Sequence, residues 1–109
     1  GASPAEVGPV AEELPGGAAA RAASFDPAGY GETVSRLEQI LAEGRDLLAP
    51  ETLVTIEESL ATVDAAIAEI ETALRDDPGS DLLQRLLTSH RSRKLGVLQR
   101  AAGAVQART

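Results

Sequence analysis

His90 is the chain's only histidine, and it stands in the stretch "TSHRSR", beside Ser89 and near Ser92. A serine next to a histidine is the raw material of nucleophilic catalysis, in which the imidazole takes the hydroxyl proton. That chemistry also needs an orienting acid, an oxyanion hole and a pocket, and the sequence signals none of them. On one helix, adjacent residues also point in different directions. Metal binding fares no better, because there is no cysteine and no His-x-x-x-His pair. His90 therefore reads as a flank or surface histidine. No residue is assigned as catalytic, cofactor-binding or metal-binding, and the chain reads as a non-enzyme with no cofactor.

Two charged sets could carry other chemistry. Glu57, Asp64 and Glu71 recur every seven residues, like ligands on one helix face. Neighbours at that spacing lie about 10 Å apart along the axis, too far to share one small ion. Carboxylate metal sites in bundles also sit inside the apolar seam, whereas this row runs along its flank. A solvated or salt-bridged flank is the expectation. The basic set Arg85, Arg91, Arg93, Lys94, Arg100 and Arg108 lacks stacking aromatics and a docking motif, so it does not read as a nucleic-acid surface. The net charge of −7 argues the same way, and against general affinity for anionic membrane.

These side chains must be positioned by helices. Leu53, Ile56, Leu60, Val63, Ile67, Ile70 and Leu74 are spaced 3, 4, 3, 4, 3, 4, an unbroken heptad seam. One flank of it carries the acidic row. The other carries Ser59, Ala66 and Ala73, small enough for a neighbouring helix to approach closely. Before it, Tyr30, Val34, Leu37, Leu41 and Leu48 fall on one stripe, with Gly44 at a stripe position. Gly44 suits close packing or a partner's side chain. Asp26-Pro27 supplies an N-cap and first turn for that helix, and Ala49-Pro50 ends it.

After the seam, "DDPGS" breaks the chain. Asp76 and Asp77 are unfavourable at a helix C-terminus, Pro78-Gly79 stops the helix, and Ser80 caps the next. On that third helix Leu83, Leu87, Lys94, Leu98, Ala101 and Val105 lie near one face, widened by Leu86, Leu95, Val97 and Ala102. Lys94 should lay its stem along the core edge and extend its amine to water. Leu83, Leu87, Leu98 and Val105 should face the heptad seam. Residues 50–75 hold six acids against Arg75, and residues 80–109 hold six bases against Asp81. The short connection makes these two helices antiparallel neighbours with complementary charge.

The expected fold is all-α: an antiparallel three-helix bundle built on a long helical hairpin, with helices at about 29–48, 51–75 and 80–107. Residues 25–109 form the bundle. Residues 1–24, rich in proline, alanine and glycine, read as a flexible linker or tether. With Phe25 and Tyr30 the only aromatics, aliphatic side chains must supply the packing, which favours helix on helix. A chain this short buries a modest core. No run of about 18 apolar residues exists, so no membrane span is expected in this chain.

Residues 47–102 resemble the zinc-finger-type bacterial anti-sigma factors. The matching elements, in order, are "LAPET", "EESLATVDAAIAEI", "DDPGSDLLQRLL" and "RKLGVLQRAA". Such proteins have a cytoplasmic zinc-finger-like segment, one membrane helix and a helical C-terminal region outside. The resemblance implies that this chain is that extracytoplasmic region, a sensor or interaction end held by its tether to an upstream membrane anchor. No functional residue carries over with it. Partners are expected to be another protein or a second copy, a homodimer, meeting through helices. The heptad seam and the exposed side of the first helix are the candidate surfaces. A soluble cytoplasmic helical adaptor or oligomerisation module is the alternative.

Overall fold

A computed structural model of the chain describes residues 29–109. Those residues form three α-helices: α1 (Tyr30–Gly44), α2 (Pro50–Asp76) and α3 (Asp81–Gln106). A 3-10 turn, Arg45–Leu47, follows α1. The all-α architecture on a long hairpin is as the sequence predicts. The proposed tether 1–24, Phe25 and the Asp26-Pro27 start lie outside the described residues.

The hairpin turn works by satisfying backbone groups in sequence. The Asp77 N–H donates to Ala73 O at 3.0 Å and the Ser80 N–H to Asp77 O at 3.2 Å, which closes α2 and turns the chain. Ser80 then caps α3, its Oγ accepting from the Leu83 N–H at 3.1 Å. The Gln84 side-chain amide donates to Pro78 O at 2.9 Å and ties the first turn of α3 to the loop. Pro50 occupies the first turn of α2, where its missing N–H costs nothing.

Helix α1 departs from expectation at its C-terminal end. It begins at Tyr30 after Gly29, which is left-handed at φ 85° and contributes no side-chain cap. It ends at Gly44, well before Ala49-Pro50. Proline holds Ala49 extended, and Leu48 is extended too (φ −100°, ψ 147°). The intervening 3-10 turn brings Leu48 back into the core, where it is buried.

Helix α3 packs along both of the others, whereas α1 and α2 hardly approach each other through their backbones. The main core is therefore on α3's C-terminal half. Leu98, fully buried, sits with Ala101, Val105, Val34, Leu41 and Leu48. From α2, Leu53, Ile56 and Leu60 close over this cluster and are partly buried by it. Farther along the hairpin, Val63, Ile70 and Leu87 are buried, while Ile67, Leu74 and Leu83 are half-buried. The described residues extend over 52 × 27 × 14 Å.

Gly44 resolves toward close packing. It is buried against α3, and a Cβ there would overlap the Val105 side chain. Helix propensity alone would make Gly44→Ala stabilising by about 1 kcal/mol. Overlap with a stiff β-branched neighbour should reverse the sign, for a net loss of about 1–3 kcal/mol. The expected outcome is a lower melting temperature for Gly44→Ala, and a neutral or stabilising effect of the same change in a Val105→Ala background. Leu98→Ala should cost about 2–5 kcal/mol. A drop of roughly 10 °C or more in the thermal melt by circular dichroism would show it.

Candidate interaction surface

The two flanks of the α2 seam meet different fates. Glu57, Asp64 and Glu71 lie on the flank toward α1, and each is paired. Glu57 Oε2 is 2.9 Å from Arg45 Nη1, Asp64 Oδ1 is 2.8 Å from Lys94 Nζ, and Glu71 Oε2 is 3.6 Å from Arg91 Nη2. Of the solvated or salt-bridged flank expected of the row, the structure forms the salt-bridged one. Arg91 also lies over the Tyr30 ring, 5.5 Å from its centroid. These contacts tie the 3-10 turn and α3 to one edge of α2, and Tyr30 of α1 to α3.

Lys94, the chain's only lysine, holds the centre of this edge. Its ammonium reaches Asp64 of α2 and, at 3.7 Å, Glu38 of α1. The side chain keeps only 16% of its exposure, so the amine extends to carboxylates on two helices and not simply to water. Burial on its own would lower the lysine's pKa. The hydrogen bond to Asp64 and the nearby Asp64, Glu38 and Tyr30 outweigh it together, and the pKa is raised above the ordinary 10.5.

The opposite flank of α2 is open. Thr55, Ser59, Thr62 and Ala66 form one wall of a groove, and His90, Arg93, Val97 and Arg100 of α3 form the other. Val63 lies between them, and Glu58 stands on the α2 side. The groove holds about 530 Å³. Among the described residues, Glu58, Arg93 and Arg100 belong to no ion pair. His90 Nδ1 is buried in the wall without a hydrogen-bond partner. Ser89 and Ser92 are exposed, and no cluster of three His, Asp or Glu side chains able to hold a metal occurs among the described residues.

The groove lies on the face away from α1. On α3, the residues meeting α1 centre on Arg91, Leu98 and Val105, whereas Leu82, Leu86, Arg93, Val97 and Arg100 follow at intervals of 4, 7, 4 and 3. They share a different side of the helix. Leu82 is 59% exposed and Leu86 37%. Leu86, placed near the core face by sequence, points outward here because α2 and α1 together take up the other sides of α3.

Helix α2's heptad seam is therefore largely consumed within the chain. The surface left for a partner is its small-residue flank with the outer side of α3. The signal was present in Ser59, Ala66 and Ala73, which allow close approach of a neighbouring helix. The basic residues divide likewise: Arg91 and Lys94 turn to α1 and α2, Arg93 and Arg100 to the groove. Arg108 donates to Ala104 O at 3.2 Å and caps the end of α3.

Lys94 supplies a pH prediction. A lysine whose pKa rises on folding contributes its full stabilisation below the unfolded value of about 10.4. The contribution disappears as pH climbs through the higher folded value. Thermal stability should fall above about pH 10.4, and Lys94→Met should be less stable at neutral pH, with a shallower alkaline decline. Tyr30→Phe separates the contribution of the phenol, which acts on the same amine. A wild-type-like decline in Lys94→Met would count against the bridge.

No helix among the described residues is long and apolar enough to cross a membrane. Comparison with known proteins finds no match to this chain among family models, curated proteins or solved structures.

Proposed function

We propose that this chain is a non-catalytic helical protein-interaction domain, the extracytoplasmic sensor end of a bacterial anti-sigma-type transcription regulator. The observation that carries the interaction reading is the groove between α2 and α3. It is mixed in polarity and bordered by unpaired charges of both signs. Exposed Leu82 and Leu86 extend the same side of α3. A surface with this composition suits a helix laid into it, with apolar contact along the middle and charge at the rims.

The anti-sigma assignment is supported by the ordered resemblance of residues 47–102, with residues 1–24 as the tether. In such a regulator the groove would report its occupancy through the tether to the membrane segment. Work of this kind needs two states of differing affinity and no reacting group.

The reading frame upstream of residue 1 in the source genome tests the assignment. The expected finding is a membrane-spanning helix preceded by a His/Cys zinc-binding segment. A start codon immediately before this chain, with neither element, would overturn the anti-sigma reading in favour of a cytoplasmic helical adaptor. In the full-length protein, Ala66→Arg should fill the groove and abolish control of the sigma-dependent promoter. Helicity should stay near wild type, because Ala66 borders the groove.

A further inference from the structure

We infer that the α2–α3 groove is the interface of a symmetric homodimer, each copy laying its α2 over the partner copy's α3 to make a four-helix bundle with α1 on the outside. The inference rests on the reading of this groove as an interaction surface and names its occupant as a second copy of the chain.

Charge selects that occupant. The α2 wall carries Glu58 and the α3 wall carries Arg93 and Arg100, all without ion-pair partners among the described residues. The contact of Asp64 with Lys94 sets the antiparallel register. Glu58 lies six residues before Asp64 and Arg100 six residues after Lys94, so the two stand level on opposite walls. A two-fold axis parallel to the helices exchanges the walls without changing height. It therefore sets Glu58 of each copy against Arg100 of the other. A two-fold axis across the helices would instead face acidic wall with acidic wall, and basic with basic.

Shape follows the same operation. By that register Ala73, nine residues past Asp64, is level with Leu86, eight before Lys94, to within one residue. Small residues on α2 thus meet large ones on the facing α3, Ala73 against Leu86 and Ser59 against Val97 and Arg100. Leu86 and Leu82, exposed at 37% and 59% in the single chain, would be covered. A face two helices wide and one long helix tall is roughly 20 by 40 Å. That is about 800 Å², the area each partner buries in a stable complex. The pairs already closed inside the chain, Glu57, Asp64 and Glu71 with their cations, lie on the α1 side and are left undisturbed.

Sedimentation equilibrium of the 109-residue chain, from about 1 μM to about 1 mM, is the test. The expected result is a dimer whose dissociation constant rises at least about tenfold in Glu58→Arg and, separately, in Arg100→Glu. Far-UV circular dichroism should show unchanged helicity in both. An equimolar mixture of the two variants should restore dimers. In the mixed dimer one of the two symmetry-related contacts keeps the native pair and the other holds it with the charges exchanged, so both are attractive. A chain that stays monomeric to 1 mM overturns the homodimer. So does a dimer insensitive to both charge changes, or a mixture that fails to recover. Each outcome is read independently of the upstream reading frame and of promoter control by Ala66→Arg, so loss of the homodimer is distinguishable from loss of the proposed function.

Discussion

The structure depends on α3 being shared. It is the one helix in close backbone contact with both others, and Leu98, fully buried, lies in the cluster where all three meet. A two-helix hairpin cannot bury its apolar seam on its own, and α1 closes only the half nearest Leu98. Gly44 sets how closely it does so, because the absence of a side chain lets the end of α1 rest on Val105. At the same edge Lys94 joins α1 and α2 through α3, offering one ammonium to Glu38 and Asp64. Burial sets the stability of this arrangement; the half-exposed ion pairs, each worth about 0.2–1 kcal/mol, fix which helix edge faces which.

That division explains the distribution of charge. An acidic helix beside a basic one suggests pairing along both edges. Only the edge covered by α1 is used, where the 3-10 turn supplies Arg45 and α3 supplies Arg91 and Lys94. On the other edge Glu58, Arg93 and Arg100 face an open groove. Exposed charges lose little by remaining in water, so folding does not require them to pair. The unused complementarity is instead available to something outside the monomer fold.

Among the described residues no group of three His, Asp or Glu side chains is placed to hold a metal ion. The hydroxyls of Thr55 and Thr88 donate to backbone carbonyls one turn earlier, at 3.1 Å each. The described part of the molecule offers a shaped, charged surface between α2 and α3.

Sequence by itself determined the helical class, the turn at "DDPGS", Ser80 as a cap and the pairing of α2 with α3. Each follows from local rules acting within one or two turns: heptad spacing, proline and glycine geometry, and side-chain capping. The place of Glu57, Asp64 and Glu71 on the flank was legible for the same reason, since spacing set them beside the seam, whereas their pairing with Arg45, Lys94 and Arg91 came with the fold. Tertiary structure decided which flank of α2 would be covered. Periodicity fixes a residue's angle around its own helix but not which side the third helix chooses. That choice buried Leu48 through a 3-10 turn, drew Lys94 between two carboxylates, turned Leu86 outward and left the groove open. It depends on steric fit at Gly44 and Val105, residues 61 positions apart, and such a fit exists only once the chain has folded.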